Sequence, residues 1–121
     1  GLWQGYESVD IVATVAFDEI KSFKKISLGC LQDQRSWIFM PLSVTFFISV
    51  DGNTFEEAGT VVNDIDERNE EIVIKDFTVN LKGKKAKYIR VIAKNRGICP
   101  AWHPGKGEKA WIFADEIIFE N

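Results

Sequence analysis

Ser43-Val44-Thr45-Phe46-Phe47-Ile48-Ser49-Val50-Asp51-Gly52-Asn53-Thr54-Phe55 is the stretch on which the reading of the fold turns. Its first eight residues are rich in β-branched and aromatic side chains, which favour a pleated, half-buried backbone. Asp51-Gly52-Asn53 closes the run, and an Asp-Gly pair between apolar segments is a strong hairpin signal. Phe55 to Val62 then reads as the returning strand. Working outward, the same period of two recurs. Towards the N-terminus, Val9, Ile11, Ala13, Val15 and Phe17 alternate with Asp10, Val12, Thr14 and Ala16, and Lys25 to Leu31 forms a further strand. Towards the C-terminus, Ile72 to Leu81 is extended. Lys82-Gly83-Lys84 turns the chain into Tyr88-Ile89-Arg90-Val91-Ile92-Ala93, and Trp111 to Glu120 ends it. No stretch keeps a helical period for more than a turn or two. Short strands with frequent turn signals imply an all-β jelly-roll sandwich, occupying residues 1–121 as a single domain.

A chain of 121 residues suffices for one core. With 45% hydrophobic residues it is not a disordered tail. Four Trp and nine Phe exceed what so small a core needs, and the surplus is candidate binding surface. A net charge of −3, with lysines spread among acidic residues, argues against nucleic acid as a partner. No apolar run reaches the length of a membrane span. The opening Gly1-Leu2-Trp3 reads as the cut edge of a larger protein. Nothing demands more than a monomer. Cys30 and Cys99 either pair in an oxidising compartment or remain two buried free thiols.

Catalytic patterns are missing. His103 is the single histidine, no serine sits in a Gly-x-Ser-x-Gly elbow, and neither cysteine has an adjacent base. Asp115 and Glu116 are strand neighbours, so their side chains point to opposite faces and cannot flank one bond. Gly105-Lys106-Gly107 has no preceding strand or following helix to make it an anion cradle. Asp64-Ile65-Asp66-Glu67-Arg68-Asn69-Glu70-Glu71 lacks the Gly at the sixth position of a calcium loop, and Lys75 stands where the twelfth-position Glu belongs. It reads as a solvated, charged hairpin end.

Two loops break the strand rhythm: residues 32–41 and residues 95–107. Long ordered loops on a rigid sandwich are where binding residues sit. Sugars offer apolar C–H faces that stack on Trp and hydroxyls that bond to polar side chains. Trp102 and His103 in one loop, with Gln34, Arg35 and Trp37 in the other, supply that chemistry as the candidate ligand-binding set. Either Trp can instead fold down to plug the sandwich end. Trp102, in a Pro- and Gly-rich loop, is the one expected to be exposed, and Trp111, at the start of the last strand, is expected in the core.

Several stretches together resemble one module type. They are Trp3-Gln4-Gly5-Tyr6-Glu7, Lys24 to Gln34 with its Gly-Cys-Leu-Gln-Asp-Gln run, Trp37-Ile38-Phe39-Met40-Pro41, Val44 to Phe55, Ala86 to Val91, and Ala110 to Ile117. The chain resembles the C-terminal module of bacterial chitobiases and β-hexosaminidases. That module is similar to the discoidin, or coagulation-factor C-type, domains and to family 32 carbohydrate-binding modules. The resemblance implies a galactose-binding-like jelly roll that is not itself an enzyme, attached to a secreted, periplasmic or cell-surface glycoside hydrolase. Its partners would be a glycan of galactose or N-acetylhexosamine type and the catalytic domain of the parent protein. Such modules begin with a further strand and a calcium-holding loop. Glu116 occupies the place of the acidic residue that completes that calcium site, and no bound calcium or other cofactor is expected without the rest of it. A structural role, docking against the catalytic neighbour without binding sugar, is the alternative.

Overall fold

The computed structural model describes residues 3–121, apart from the side chain of Glu116. Six antiparallel strands follow one another: β1 (Gln4–Glu7), β2 (Ile11–Gln32), β3 (Ser43–Ser49), β4 (Glu56–Val62), β5 (Val73–Ala93) and β6 (Trp111–Glu120). Their order across the sheet is β1-β6-β2-β5-β3-β4. A single 3-10 turn, Gln34–Ser36, interrupts the loop after β2.

β2 and β5 are too long for one flat layer, and both run through a bend. The first half of β2 pairs with the second half of β5, from Ile11↔Ala93 to Ala16↔Tyr88. The second half of β2 pairs with the first half of β5, from Lys25↔Asn80 to Gln32↔Val73, after register shifts between Ala16 and Lys21 and between Phe23 and Lys25. β3 and β4 extend the first half of the sheet, whereas β6 and β1 extend the second. Bulges of this kind re-aim strands and raise local twist, so one continuous sheet folds over on itself. Ile11, Val44, Phe46, Ile48, Ile89 and Val91 from one half join Phe23, Ile26, Leu28, Phe77, Leu81 and Ile112 from the other in a single buried core.

The expected Lys82–Lys84 turn is therefore corrected. Lys82 (φ 54°) and Gly83 (φ 79°) do adopt left-handed backbone, but inside β5, where they bend the strand instead of reversing it. The chain can bend there because β5 carries extra residues at the register shift between Phe23 and Lys25 and keeps pairing with β2 on both sides of it. The strand reading of 9–17 and 25–31 is likewise one strand, β2. The hairpin at Asp51-Gly52 forms as read: Gly52 has φ 81°, and Asp51 Oδ1 accepts from the backbone N–H groups of Asn53 (2.8 Å) and Thr54 (2.9 Å). These bonds and the Ser49 hydroxyl hold the Asp51 carboxyl below its usual range.

β1 had no counterpart among the expected strands. It forms because Gly5 lets the β6 aromatics lie flat on it: a Cβ there would stand 2.6 Å from Phe113 and 3.0 Å from Trp111. Trp111 accordingly sits half-buried on the outer face beside Phe113, with ring centroids 5.9 Å apart, and not in the core as expected. Both cysteines are free and buried, Cys30 in the main core and Cys99 in a small cluster with Phe39 and Ala110. Burial and the neighbouring Asp76 push the Cys30 thiol up to about 12, and burial raises Cys99 as well, so both stay protonated. No helix among the described residues is long and apolar enough to cross a membrane.

Candidate functional site

The two long loops meet at one end of the folded sheet. The first is held by Ile38, which bridges to both Asp33 and Trp111, and by the Phe39 N–H, which donates to the Trp111 carbonyl at 2.9 Å. The second is stapled at its start by the buried Asn95, whose Nδ2 donates to the carbonyls of Tyr6 (3.0 Å) and Val9 (3.1 Å) while its Oδ1 accepts from the Gly97 N–H (2.8 Å).

His103 joins the loops. The Gly105 N–H donates to Nδ1 at 2.9 Å, so the ring hydrogen lies on Nε2, which donates to the Gln34 carbonyl at 2.7 Å. The ring is buried, edge-on to Phe39 and Trp102 with centroids 5.2 and 5.8 Å away. Both nitrogens are thus committed within the protein, and His103 clips one loop to the other.

Gln32 and Gln34 explain the Gln-Asp-Gln run. Gln32 ends β2 and Gln34 opens the 3-10 turn, and both side chains are buried. Gln32 Nε2 donates to the carbonyls of Asn69 (2.8 Å) and Glu71 (3.2 Å), and Gln34 Nε2 donates to the Glu67 carbonyl (2.5 Å). The acidic segment 64–71, read from sequence as a solvated hairpin end, is therefore tied onto this end of the sheet. Its side chains take part too. The Glu67 carboxylate accepts from Trp102 Nε1 (3.2 Å) and from Arg96 Nη1 (3.2 Å), bonds that lower its pKa below the usual range. Arg68 lies over the Trp102 ring, 5.5 Å from its centroid. Trp102 is half-buried and framed on several sides.

Trp37 is different. It is 41% exposed and holds a left-handed backbone conformation (φ 61°, ψ 26°) that bulky residues rarely adopt. Hydrogen bonds from its own N–H to Gln34 O (3.0 Å) and from the Trp111 N–H to its carbonyl (2.9 Å) keep it there. The indole rests on Gly105, where a Cβ would stand 2.6 Å from Nε1. Beside it, Gln34, Arg35, Glu70, His103 and Pro104 line an open cleft of about 240 Å³. Arg35, Glu70, Glu71 and Ile72 line a neighbouring shallow one.

All five sequence-derived candidates thus converge on one end: Trp37 and Arg35 exposed, Trp102 half-buried, Gln34 and His103 buried. Glu67, Glu70, Arg96 and Pro104 join them without having been singled out. Their positions depend on long-range packing, and only the unusual length of the second loop hinted at Arg96 and Pro104. The calcium site implied by the resemblance would draw on Glu116, whose side chain lies outside the described residues. Among the described residues no three His, Cys, Asp or Glu side chains are grouped to hold a metal ion.

Solved structures share this fold. The chain superposes on a family 32 carbohydrate-binding module of a family 31 glycoside hydrolase from Clostridium perfringens with TM-score 0.58, covering 98% of this chain and 76% of that one at 14% identity. The fold is that of the family 32 carbohydrate-binding modules. A second such module from Clostridium perfringens, solved in complex with GalNAc-β-1,3-galactose, gives TM-score 0.53 at 15% identity over 91% of this chain. The C-terminal domain of a chitobiase from Bacteroides fragilis gives 0.51 at 16% identity over 93%. The chain spans 65% and 66% of the length of these last two structures. No protein-family model and no curated protein matches it.

Proposed function

We propose that this domain is a non-catalytic carbohydrate-binding accessory module that takes a glycan at the loop end of the sheet. The observation that carries the reading is Trp37, an exposed ring in a costly backbone conformation, braced from below by Gly105 and set beside a polar cleft. Strain of that kind persists where surrounding structure over-determines it, and it concentrates at binding sites. The indole face stacks on the C–H face of a pyranose, and Arg35 and Glu70 bond its hydroxyls from the cleft rim. Trp102, capped by Arg68 and tethered to Glu67, serves as a wall, and His103 positions both loops. The parent protein on this reading is a secreted or periplasmic glycoside hydrolase of chitobiase or β-hexosaminidase type. Titration of intrinsic Trp fluorescence with galactose, N-acetylgalactosamine, N-acetylglucosamine and chitobiose tests it. A saturable change that Trp37→Ala removes in a folded variant is the expected result; silence to all four sugars overturns it.

One observation favours docking against the catalytic neighbour as a second reading. Ile74, Leu31 and Phe113 are successive cross-strand partners over β5, β2 and β6, so their side chains share the outer face, with Gly5 of β1 opposite Phe113. Ile74 is 65% exposed there, and Trp111 adds its ring to the row. An apolar row of this length on an outer face suits a domain contact. Co-expression with the parent catalytic domain distinguishes the two: a complex lost on Ile74→Lys supports docking.

A further inference from the structure

Residues 11–16 of β2 pair with β5 on one side only. β6 joins β2 from Lys25 onward, and among the described residues no strand takes the other side of 11–16. An edge of this kind leaves alternate backbone N–H and C=O groups turned outward without strand partners. The other free edges carry features that discourage pairing. β1 is four residues long, β4 opens on Glu56 and Glu57 and is broken by the register shift at Phe46/Phe47, and the outer stretch of β5 holds Lys75 and Asp76. Ile11-Val12-Ala13-Thr14-Val15-Ala16 has none of these: six regularly paired residues with no charge, no proline and no glycine. Val12 is 64% exposed, and Thr14 and Ala16 beside it are exposed too. Ala13 and Val15 are only half-buried on the face that carries the buried Ile11.

We infer that this edge pairs with the same edge of a second copy of the chain, antiparallel about a two-fold axis at Ala13. That register sets Ile11 against Val15, Val12 against Thr14 and Asp10 against Ala16. Like faces then meet, and β-branched residues pair across the axis. Centring the axis one place later, at Thr14, sets Asp10 against Asp18, and like charges directly opposite disfavour it. The charge pattern selects the partner. The strand is uncharged between acidic flanks, Asp10 before it and Asp18 and Glu19 after it, so an acidic segment is repelled and a basic one finds no counter-charge along the six residues. Pairing like with like also covers both edges at once, which closes the assembly at a dimer. Composition gave no reason for more than a monomer, and the uncovered edge supplies one. Ile11 lies at the loop end, opposite Ala93 and the start of the second long loop. Antiparallel pairing therefore points the two loop ends in opposite directions, with the Trp37 platforms at opposite poles of the dimer.

The test is sedimentation equilibrium of the chain from micromolar to millimolar concentration, with amide hydrogen exchange at both extremes. An edge this short makes a small interface, and its dimer should form within that range. Two charge variants at the exposed Ala16 check the register. Asp10 is held in place by the Asn95 N–H at 2.8 Å and stands opposite residue 16 of the other copy. Ala16→Glu should weaken the dimer about fivefold or more, and Ala16→Lys should tighten it by a similar factor, since the pair occurs twice about the axis. The outward-facing amides among residues 11–16 should gain protection as concentration rises. If circular dichroism shows a variant unfolded, the exchange pattern of the parent chain decides alone. A monomer at every concentration overturns the inference. So does a dimer that both folded variants leave alone or shift in the same direction, and so does protection gained on other strands instead. None of these outcomes bears on whether a glycan binds at the loops.

Discussion

The two loops at the end of the sheet differ in kind. Loop 33–41 exposes Arg35, Ser36 and Trp37 in succession, while Gln34 before them is buried. Loop 95–110 turns inward, burying Asn95, Cys99, Pro100, His103 and Gly105. One loop presents side chains and the other holds them in place. Chemically similar residues therefore divide by burial: an exposed Trp costs little to remove and offers a face, whereas a buried His with both nitrogens bonded stabilises the scaffold.

Four experiments break or sharpen this contrast. The largest effect is expected from His103→Ala, which strands the Gly105 N–H and leaves a gap against Phe39; thermal unfolding should show a loss of about 2–4 kcal/mol. A loss below about 0.5 kcal/mol, the scale of an ordinary surface change, would mean that His103 is no clip. Next comes Trp37→Ala. Its expected signature is sugar affinity reduced at least about tenfold, with a melting temperature close to that of the parent chain. A large drop in melting temperature with affinity kept would invert the division between the loops.

Gly105→Ala should be milder, at about 1 kcal/mol, because the new methyl meets the far end of an exposed indole that can shift. Its value is diagnostic: affinity should fall with it, since the Trp37 platform moves. The smallest effect concerns acid. The Glu67 carboxyl has a lowered pKa, so its contribution to stability is full above its ordinary value of 4.5 and is lost as pH falls through the folded-state pKa. Trp102 fluorescence should change over that acid range, and Glu67→Gln should flatten the change without altering the Trp37 signal at neutral pH.

Much of the fold was legible in the residues. The hairpin at Asp51-Gly52 is a local matter: Gly52 takes a positive φ at no steric cost and the Asp51 carboxylate caps the turn, so thirteen residues suffice to specify it. Lys82-Gly83-Lys84 has equally good turn chemistry and yet does not reverse the chain. The same left-handed pair serves a turn or a bend, and pairing with the distant strand β2 on both sides of it selects the bend. Trp111 shows the limit of period two, which separates residues into two faces without saying which one is covered. Gly5 and the Leu28/Cys30 register shift decided that.

The candidate site divides along the same line. The residue types in the two long loops were enough to single out Trp37, Arg35, Gln34, Trp102 and His103, because stacking and hydroxyl bonding need aromatic faces beside donors and acceptors. Which of them face outward could not be read, since exposure depends on which neighbours the folded sheet delivers. Glu67 illustrates the point: it sits in a charged stretch with no local signal, and it touches Trp102, Arg96 and Gln34 only once the sheet has folded. Sequence by itself determined the all-β pattern, the central hairpin and the chemistry available in the loops, all of which rest on neighbours within a few residues. Tertiary structure alone decided the bend that folds one sheet into two layers, the face that Trp111 occupies and the split between clip and platform. Those outcomes rest on hydrogen bonds and close packing between segments tens of residues apart, which no local period encodes.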